Sequence, residues 1–107
     1  MLKELAPQEL KQWLDNKEIA PFLLDVREPF EYEIANIKGS TLIPMQSIPD
    51  QLEKLPTDKP IICICHHGGR SLQVANFLVQ AGKTQIFNLT GGIDLWSKNI
   101  DNSIARY

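Results

Sequence analysis

Four short apolar runs alternate with stretches that repeat an apolar residue every three or four positions. The runs are Phe22-Leu23-Leu24-Asp25-Val26, Thr41-Leu42-Ile43, Ile61-Ile62-Cys63-Ile64-Cys65 and Ile86-Phe87-Asn88-Leu89. Their length and β-branched content predict strands. The third run is apolar at every position, as a strand covered on both faces would be. A fifth, short strand is expected near Lys3 to Leu5.

The stretches between the runs predict helices. Pro7 suits a first helical position, with Ala6 before it as a weak cap, and Leu10, Trp13 and Leu14 then share one face. Pro49 opens a short helix carrying Leu52 and Leu55. The clearest helix runs from Ser71 to Ala81, with Leu72, Ala75, Leu78 and Val79 at helical spacing and Gly82 as its stop. A last helix carries Ile93 and Trp96. This alternation predicts an α/β fold, a parallel sheet with helices on both faces. In such sheets, ligands bind beyond the carboxyl ends of the strands.

Composition narrows the function classes. The chain has 107 residues, a single domain's worth over 1–107, with no repeat, linker or low-complexity stretch. Eleven basic against thirteen acidic residues leave a net charge of -2. That balance gives no electrostatic footprint for nucleic acid or an anionic membrane. No apolar run approaches the ~20 residues that span a bilayer. Met1-Leu2-Lys3-Glu4-Leu5 lacks the basic-then-apolar layout of a secretion signal. Two cysteines two positions apart make no disulfide framework. A cytoplasmic protein with reduced thiols is expected.

The chemistry concentrates in Cys65-His66-His67-Gly68-Gly69-Arg70-Ser71, between the most buried-looking strand and the best helix. The glycines let the backbone curl. A tight loop of this kind turns successive N–H groups into one concavity that favours an anion. The helix that follows adds its free N–H groups and positive dipole end. Such surroundings hold more of a thiol as thiolate, the nucleophilic form, so Cys65 is expected to be an accessible, activated nucleophile. His66, His67, Gly68, Gly69, Arg70 and Ser71 form the candidate substrate-binding set.

Loop length selects the anion. Four residues separate Cys65 from Arg70. Cysteine phosphatases use five, so this cradle is one residue too small for a tetrahedral phosphate. A single extra sulfur on Cys65, as a persulfide, needs less room, and its negative charge is what the N–H groups would stabilise.

Blander readings stand beside these. Cys63 lies inside the strand and reads as an inert core thiol. It faces the same side as Cys65 at roughly 6.6 Å, the edge of disulfide reach. Cys63, Cys65, His66 and His67 could suggest zinc, but adjacent residues converge poorly on one tetrahedral ion, so no metal is expected. His66 and His67 either lend only backbone N–H groups at the rim or steer substrate and protonate a leaving group. A cation at a helix N-terminus is unfavourable, so Arg70 is expected to serve an anionic substrate or to pair with a loop-bracing carboxylate. Asp25, at the end of an early strand, is the candidate carboxylate. Arg27 and Glu31, four apart, read as a structural ion pair. Asp25 and Arg27 are thus loop-supporting residues. Gly91-Gly92 reads as a tight turn, and Trp13 and Trp96 as packing.

The chain also resembles the rhodanese family of single-domain sulfurtransferases. Three ordered signatures carry the resemblance over nearly the whole chain. The first is Asp25-Val26-Arg27, Glu31-Tyr32, Ile37 with Gly39, and Ile43-Pro44. The second is the Cys65 loop with Gly68, Arg70 and Ser71. The third is Gly82, then Leu89, Gly91-Gly92-Ile93 and Trp96. Ala35-Asn36 stands where the family usually has Gly-His, and Lys83 where it prefers an aromatic. The resemblance implies a rhodanese-like three-layer sandwich, with a five-stranded, mostly parallel sheet flanked by helices on both faces. It implies a double displacement through a Cys65 persulfide, from thiosulfate or another donor to cyanide, a thiol or a protein, with no cofactor. A cysteine-dependent phosphatase or arsenate-handling enzyme and a non-catalytic interaction module are the alternatives. Small-molecule sulfur donors and acceptors, and a protein donor or acceptor, are the expected partners.

Overall fold

The computed structural model describes residues 2–107. Five strands, β1 (Leu2–Leu5), β2 (Phe22–Asp25), β3 (Thr41–Leu42), β4 (Ile61–Ile64) and β5 (Ile86–Leu89), form one sheet in the order β1-β5-β4-β2-β3. Every strand pair is parallel, where a mostly parallel sheet was expected. The helices are α1 (Pro7–Asp15), α2 (Pro29–Ile34), α3 (Ile48–Gln51), α4 (Gly69–Gln80) and α5 (Gly92–Asn99). Short 3-10 turns, Met45–Ser47 and Leu52–Lys54, flank α3.

β4 sits mid-sheet and is buried at all four positions, which accounts for its unbroken apolar sequence. Its side chains divide by alternation. Ile61, Cys63 and then Cys65 join a core with Val74, Ala75 and Leu78 of α4 and Ile48 of α3. Ile62 and Ile64 join the opposite core with Leu10 of α1 and Ile93 and Trp96 of α5. The three layers expected from the alternation of strands and helices are therefore present.

The termini of α4 fit its sequence. Gly82 adopts φ +97, and the Lys83 N–H donates to the Leu78 carbonyl while the Gly82 N–H donates to Val79. This is the left-handed C-terminal motif for which glycine is favoured. At α1, Ala6 offers no capping side chain, and the Glu9 carboxylate accepts its backbone N–H instead.

Three helix readings need correction. Leu14 and Leu72 are each 37% exposed rather than core-facing. On α4 the buried face is Ser71, Val74, Ala75 and Leu78, the spacing of one helical stripe. The polar Ser71 occupies a core position, which shifts the stripe by one residue from that expected. Helix α2 had no counterpart among the expected elements. Among the described residues no helix is long and apolar enough to cross a membrane.

Candidate active site

Cys65 follows β4 at the carboxyl edge of the sheet. Gly68 then takes φ +108 and leads into α4. That turn brings the Gly68 N–H to 3.1 Å from Cys65 Sγ. The Ser71 hydroxyl, one turn into the helix, lies 3.2 Å from the same sulfur. Two donors thus converge on the sulfur from backbone and side chain.

The sulfur itself is less open than expected, since Cys65 is 1% exposed. Strand alternation explains this: Cys65 continues the Ile61, Cys63 face beneath α4, and the loop curls over it. Cys63 is wholly buried, and burial, reinforced by the charge on Cys65, pushes its thiol up to about 12. It is an inert core thiol at neutral pH.

Helix α5 braces the loop from behind. The Ile93 N–H donates to the Cys65 carbonyl at 2.9 Å and the Asp94 N–H to the His66 carbonyl at 3.1 Å. This approach is possible only because residue 92 lacks a side chain. A Cβ there would lie 2.4 Å from the His66 oxygen and 2.5 Å from that of Cys65. Gly91 and Gly92 also hold φ +76 and +62. The tight turn read from Gly91-Gly92 is present, and it serves to dock a helix N-terminus on two loop carbonyls. With those carbonyls drawn away, the Gly68 N–H is left to face the sulfur.

The charged residues pair differently from expectation. Arg70 is held by Glu31, not Asp25, through two parallel contacts of 2.8 and 2.9 Å. Asp25 instead receives the buried Arg27 guanidinium at 2.6 to 3.1 Å. Arg27 also donates to the Glu31 and Ala35 carbonyls, so its link to Glu31 is to the backbone and not the expected ion pair. The support that Asp25 and Arg27 give the loop is therefore indirect: they hold α2 by its Glu31 and Ala35 carbonyls, and its first turn presents Glu31 to Arg70. The Arg70 contact, with the Tyr107 and Glu28 hydrogen bonds, outweighs burial and holds the Glu31 carboxyl at about 2, and Glu31 in turn raises Arg70.

The histidines stack. His66 and His67 rings lie 3.9 Å apart, and on the other face of His66 the Tyr107 ring lies parallel at 3.9 Å. Burial, and then the neighbouring His67, lowers the His66 pKa. His67 is open to solvent, with Nε2 3.8 Å from Asp94. His66, His67 and Asp94 place ligand-type atoms within 4.8 Å of one another, but the Asp94 carboxylate is already held by Arg106 at 3.0 and 3.2 Å.

Sequence reasoning missed three contributors. Tyr107 accepts from Arg27 Nη1 at 2.8 Å and donates to Glu31 Oε2 at 2.7 Å, some 76 to 80 residues away in the chain. Asn88 and Glu4 connect to Ser71 beneath the loop. The one available signal was the polar Asn88 inside an apolar strand.

The model of the rhodanese-like domain matches residues 6–99. The chain belongs to the rhodanese-like domain family. This rhodanese-like domain is 43% identical over 89 residues to the Arabidopsis thaliana protein named rhodanese-like/PpiC domain-containing protein 12, chloroplastic, covering 79% of the chain and 30% of that protein. It thus spans less than a third of that relative's length. It is 30% identical to the thiosulfate sulfurtransferase GlpE of Pseudomonas paraeruginosa, covering 88% of the chain and 83% of the relative. A crystal structure of a rhodanese-related protein from Thermoplasma volcanium superposes with a TM-score of 0.82 at 33% identity, covering 92% of this chain and 93% of that one.

Proposed function

We propose that this rhodanese-like domain is a sulfurtransferase that carries sulfane sulfur as a Cys65 persulfide. The observation that carries the proposal is the convergence of the Gly68 N–H and the Ser71 hydroxyl on Cys65 Sγ, inside a loop pinned by α5. The Gly68 N–H is a fixed donor aimed at a charged sulfur and needs no reorganisation during reaction, and one such donor is worth about 10²–10³ in rate.

In the first half-reaction the Cys65 thiolate attacks the outer sulfur of thiosulfate or a comparable donor. The Sγ–S bond forms as the donor's S–S bond breaks, and the electron pair leaves with sulfite. In the second, cyanide, a thiolate or a protein thiol attacks the outer sulfur and returns the electron pair to Cys65. No cofactor or metal enters either step. The negative charge moves by one atom between the thiolate and the persulfide, so a cradle shorter than that of a phosphatase suits it. Arg70, 38% exposed at its side chain and oriented by Glu31, supplies a permanent cation at the rim for an anionic donor. His66, His67 and the Gly68-Gly69 backbone complete the substrate-binding set, while Ser71 acts on the sulfur itself. Two free cysteines and no disulfide suit a reduced, cytoplasmic setting.

The test is thiocyanate production from thiosulfate and cyanide by the purified chain and by Cys65→Ser. The parent turns over and Cys65→Ser does not. Substantial turnover by Cys65→Ser ends the proposal.

A further inference from the structure

Beneath the loop, four side chains form a continuous hydrogen-bonded line from the sheet edge to the sulfur. Asn88 in β5 is directly opposite Glu4 in β1, and its amide Nδ2 lies 3.0 and 3.3 Å from the two Glu4 carboxylate oxygens. The same Nδ2 lies 3.2 Å from the Gly68 carbonyl. All three of these atoms are acceptors, so this end of the amide is the NH₂ group and Oδ1 faces the other way. Oδ1 meets the Ser71 hydroxyl at 2.5 Å, and the Ser71 hydroxyl meets Cys65 Sγ at 3.2 Å. Asn88 is 3% exposed and Ser71 fully buried. A buried amide in an otherwise apolar strand is costly unless every polar atom is used, and here every one is.

Ser71 has one hydroxyl hydrogen and two acceptors competing for it. Given to Sγ, it stabilises a thiolate. Given to Asn88 Oδ1, it leaves Ser71 able only to accept from the thiol. The Glu4 charge decides the balance. A carboxylate on Nδ2 polarises the amide, makes Oδ1 a stronger acceptor and draws the hydroxyl hydrogen away from sulfur. Thr90 fixes Glu4 for this task by donating to Oε1 at 2.8 Å.

We propose that Glu4 and Asn88 are positioning residues for the nucleophile, acting through Ser71 as a hydroxyl switch whose hydrogen rests on Asn88 when Cys65 is a thiol or persulfide and turns to Sγ when the thiolate forms. The proposal rests on Cys65 being the sulfur carrier and says how that sulfur's charge is regulated from the edge of the sheet. In the persulfide the charge moves to the outer sulfur, Sγ becomes neutral, and the hydroxyl returns to Asn88. When the outer sulfur is attacked, the electron pair returns to Sγ and the hydroxyl turns back to it.

The remaining ionisable groups about Sγ are Arg70 and Cys63, which sense its charge, and His66, His67, Glu31, Asp94 and Tyr107 around the loop. They are common to every variant compared below.

The experiment follows alkylation of Cys65 by iodoacetamide against pH, by mass spectrometry, in the parent, Glu4→Gln, Ser71→Ala and the double variant, with circular dichroism to confirm folding. Glu4→Gln is expected to move the midpoint of the profile down by about 0.5 pH unit, because the freed hydroxyl turns to sulfur. Ser71→Ala moves it up. In the double variant Glu4→Gln no longer moves it. Asn88→Leu cuts the line one link earlier, provides a second background and silences Glu4→Gln in the same way. A Glu4→Gln shift that persists at full size in either background overturns the proposal, since the charge then acts through space. So does an unchanged midpoint in Glu4→Gln alone. Alkylation does not require sulfur transfer. Failure here therefore leaves the persulfide reading standing, whereas intact coupling with no persulfide formed sinks that reading and leaves only the thiol–thiolate half of the switch.

Discussion

Replacing Gly92 with alanine tests how the loop is held. Two separable costs follow from the geometry. The first is backbone: φ at residue 92 is +62, a region that costs an L-residue about 1–2 kcal/mol. The second is steric. The new Cβ would lie 2.4 Å from the His66 oxygen and 2.5 Å from the Cys65 oxygen, and both atoms are backbone, so neither can swing aside. Those oxygens accept the Ile93 and Asp94 N–H groups, so any retreat weakens two hydrogen bonds worth about 1 kcal/mol each. The sum is about 3–4 kcal/mol, a fall in melting temperature of about 15 °C for a domain of this size. Gly39→Ala separates the two costs. Residue 39 has φ +88 but nothing within 4 Å of its Cβ, so only the backbone cost applies, about 1–2 kcal/mol. Gly69→Ala carries neither cost, having open space and an ordinary φ, and its melting temperature stays near the parent's. Thermal melts by circular dichroism, with sulfur transfer measured alongside, give the ranking. Gly92→Ala loses transfer as well as stability, and Gly39→Ala keeps transfer. If Gly92→Ala melted within a few degrees of Gly39→Ala and still transferred sulfur, α5 would not be what holds the loop.

Two further outcomes are expected. Glu31 is held at about 2, below its ordinary 4.5, chiefly by Arg70, so its contribution to stability is complete above about pH 4.5 and fades as pH falls through 2. With Arg70 partly in solvent the contribution is about 1–3 kcal/mol, read as a urea-midpoint difference between pH 7 and pH 3 that shrinks in Glu31→Gln. An unchanged pH dependence in Glu31→Gln would contradict this. Cys63→Ala leaves persulfide formation intact at a stability cost of about 1 kcal/mol, measured by denaturant titration with mass analysis, and loss of persulfide in that variant would make Cys63 a participant.

Much of the fold was legible because its strongest signals are local. The unbroken apolar run of β4 marks the middle of the sheet, and the glycine after α4 marks its end. Several of the failures share one physical cause, polar residues turned inward. Helix α2 exposes Phe30 at 63% and Ile34 at 47% while burying Glu31, an inversion of the usual amphipathic pattern. Ser71 displaced the expected core stripe for the same reason, its hydroxyl being needed at the sulfur. The Cys65 loop was readable from its glycines and its position after β4, but its partners were not. Spacing favours Arg27 with Glu31, whereas the bend after β2 turns Arg27 back on Asp25 and leaves Glu31 to cross to Arg70. Tyr107 reaches His66, Arg27 and Glu31 from the far end of the described chain, and no local pattern announces such a contact. The openness of Cys65 was misjudged because strand alternation places it under α4.

The central claim is that Cys65 holds one extra sulfur in its loop, and intact-mass spectrometry after incubation with thiosulfate tests it directly. A mass gain of one sulfur atom, localised to Cys65 by digestion and removed by cyanide, is the predicted result. A chain that gains no sulfur, or gains it equally in Cys65→Ser, contradicts the account.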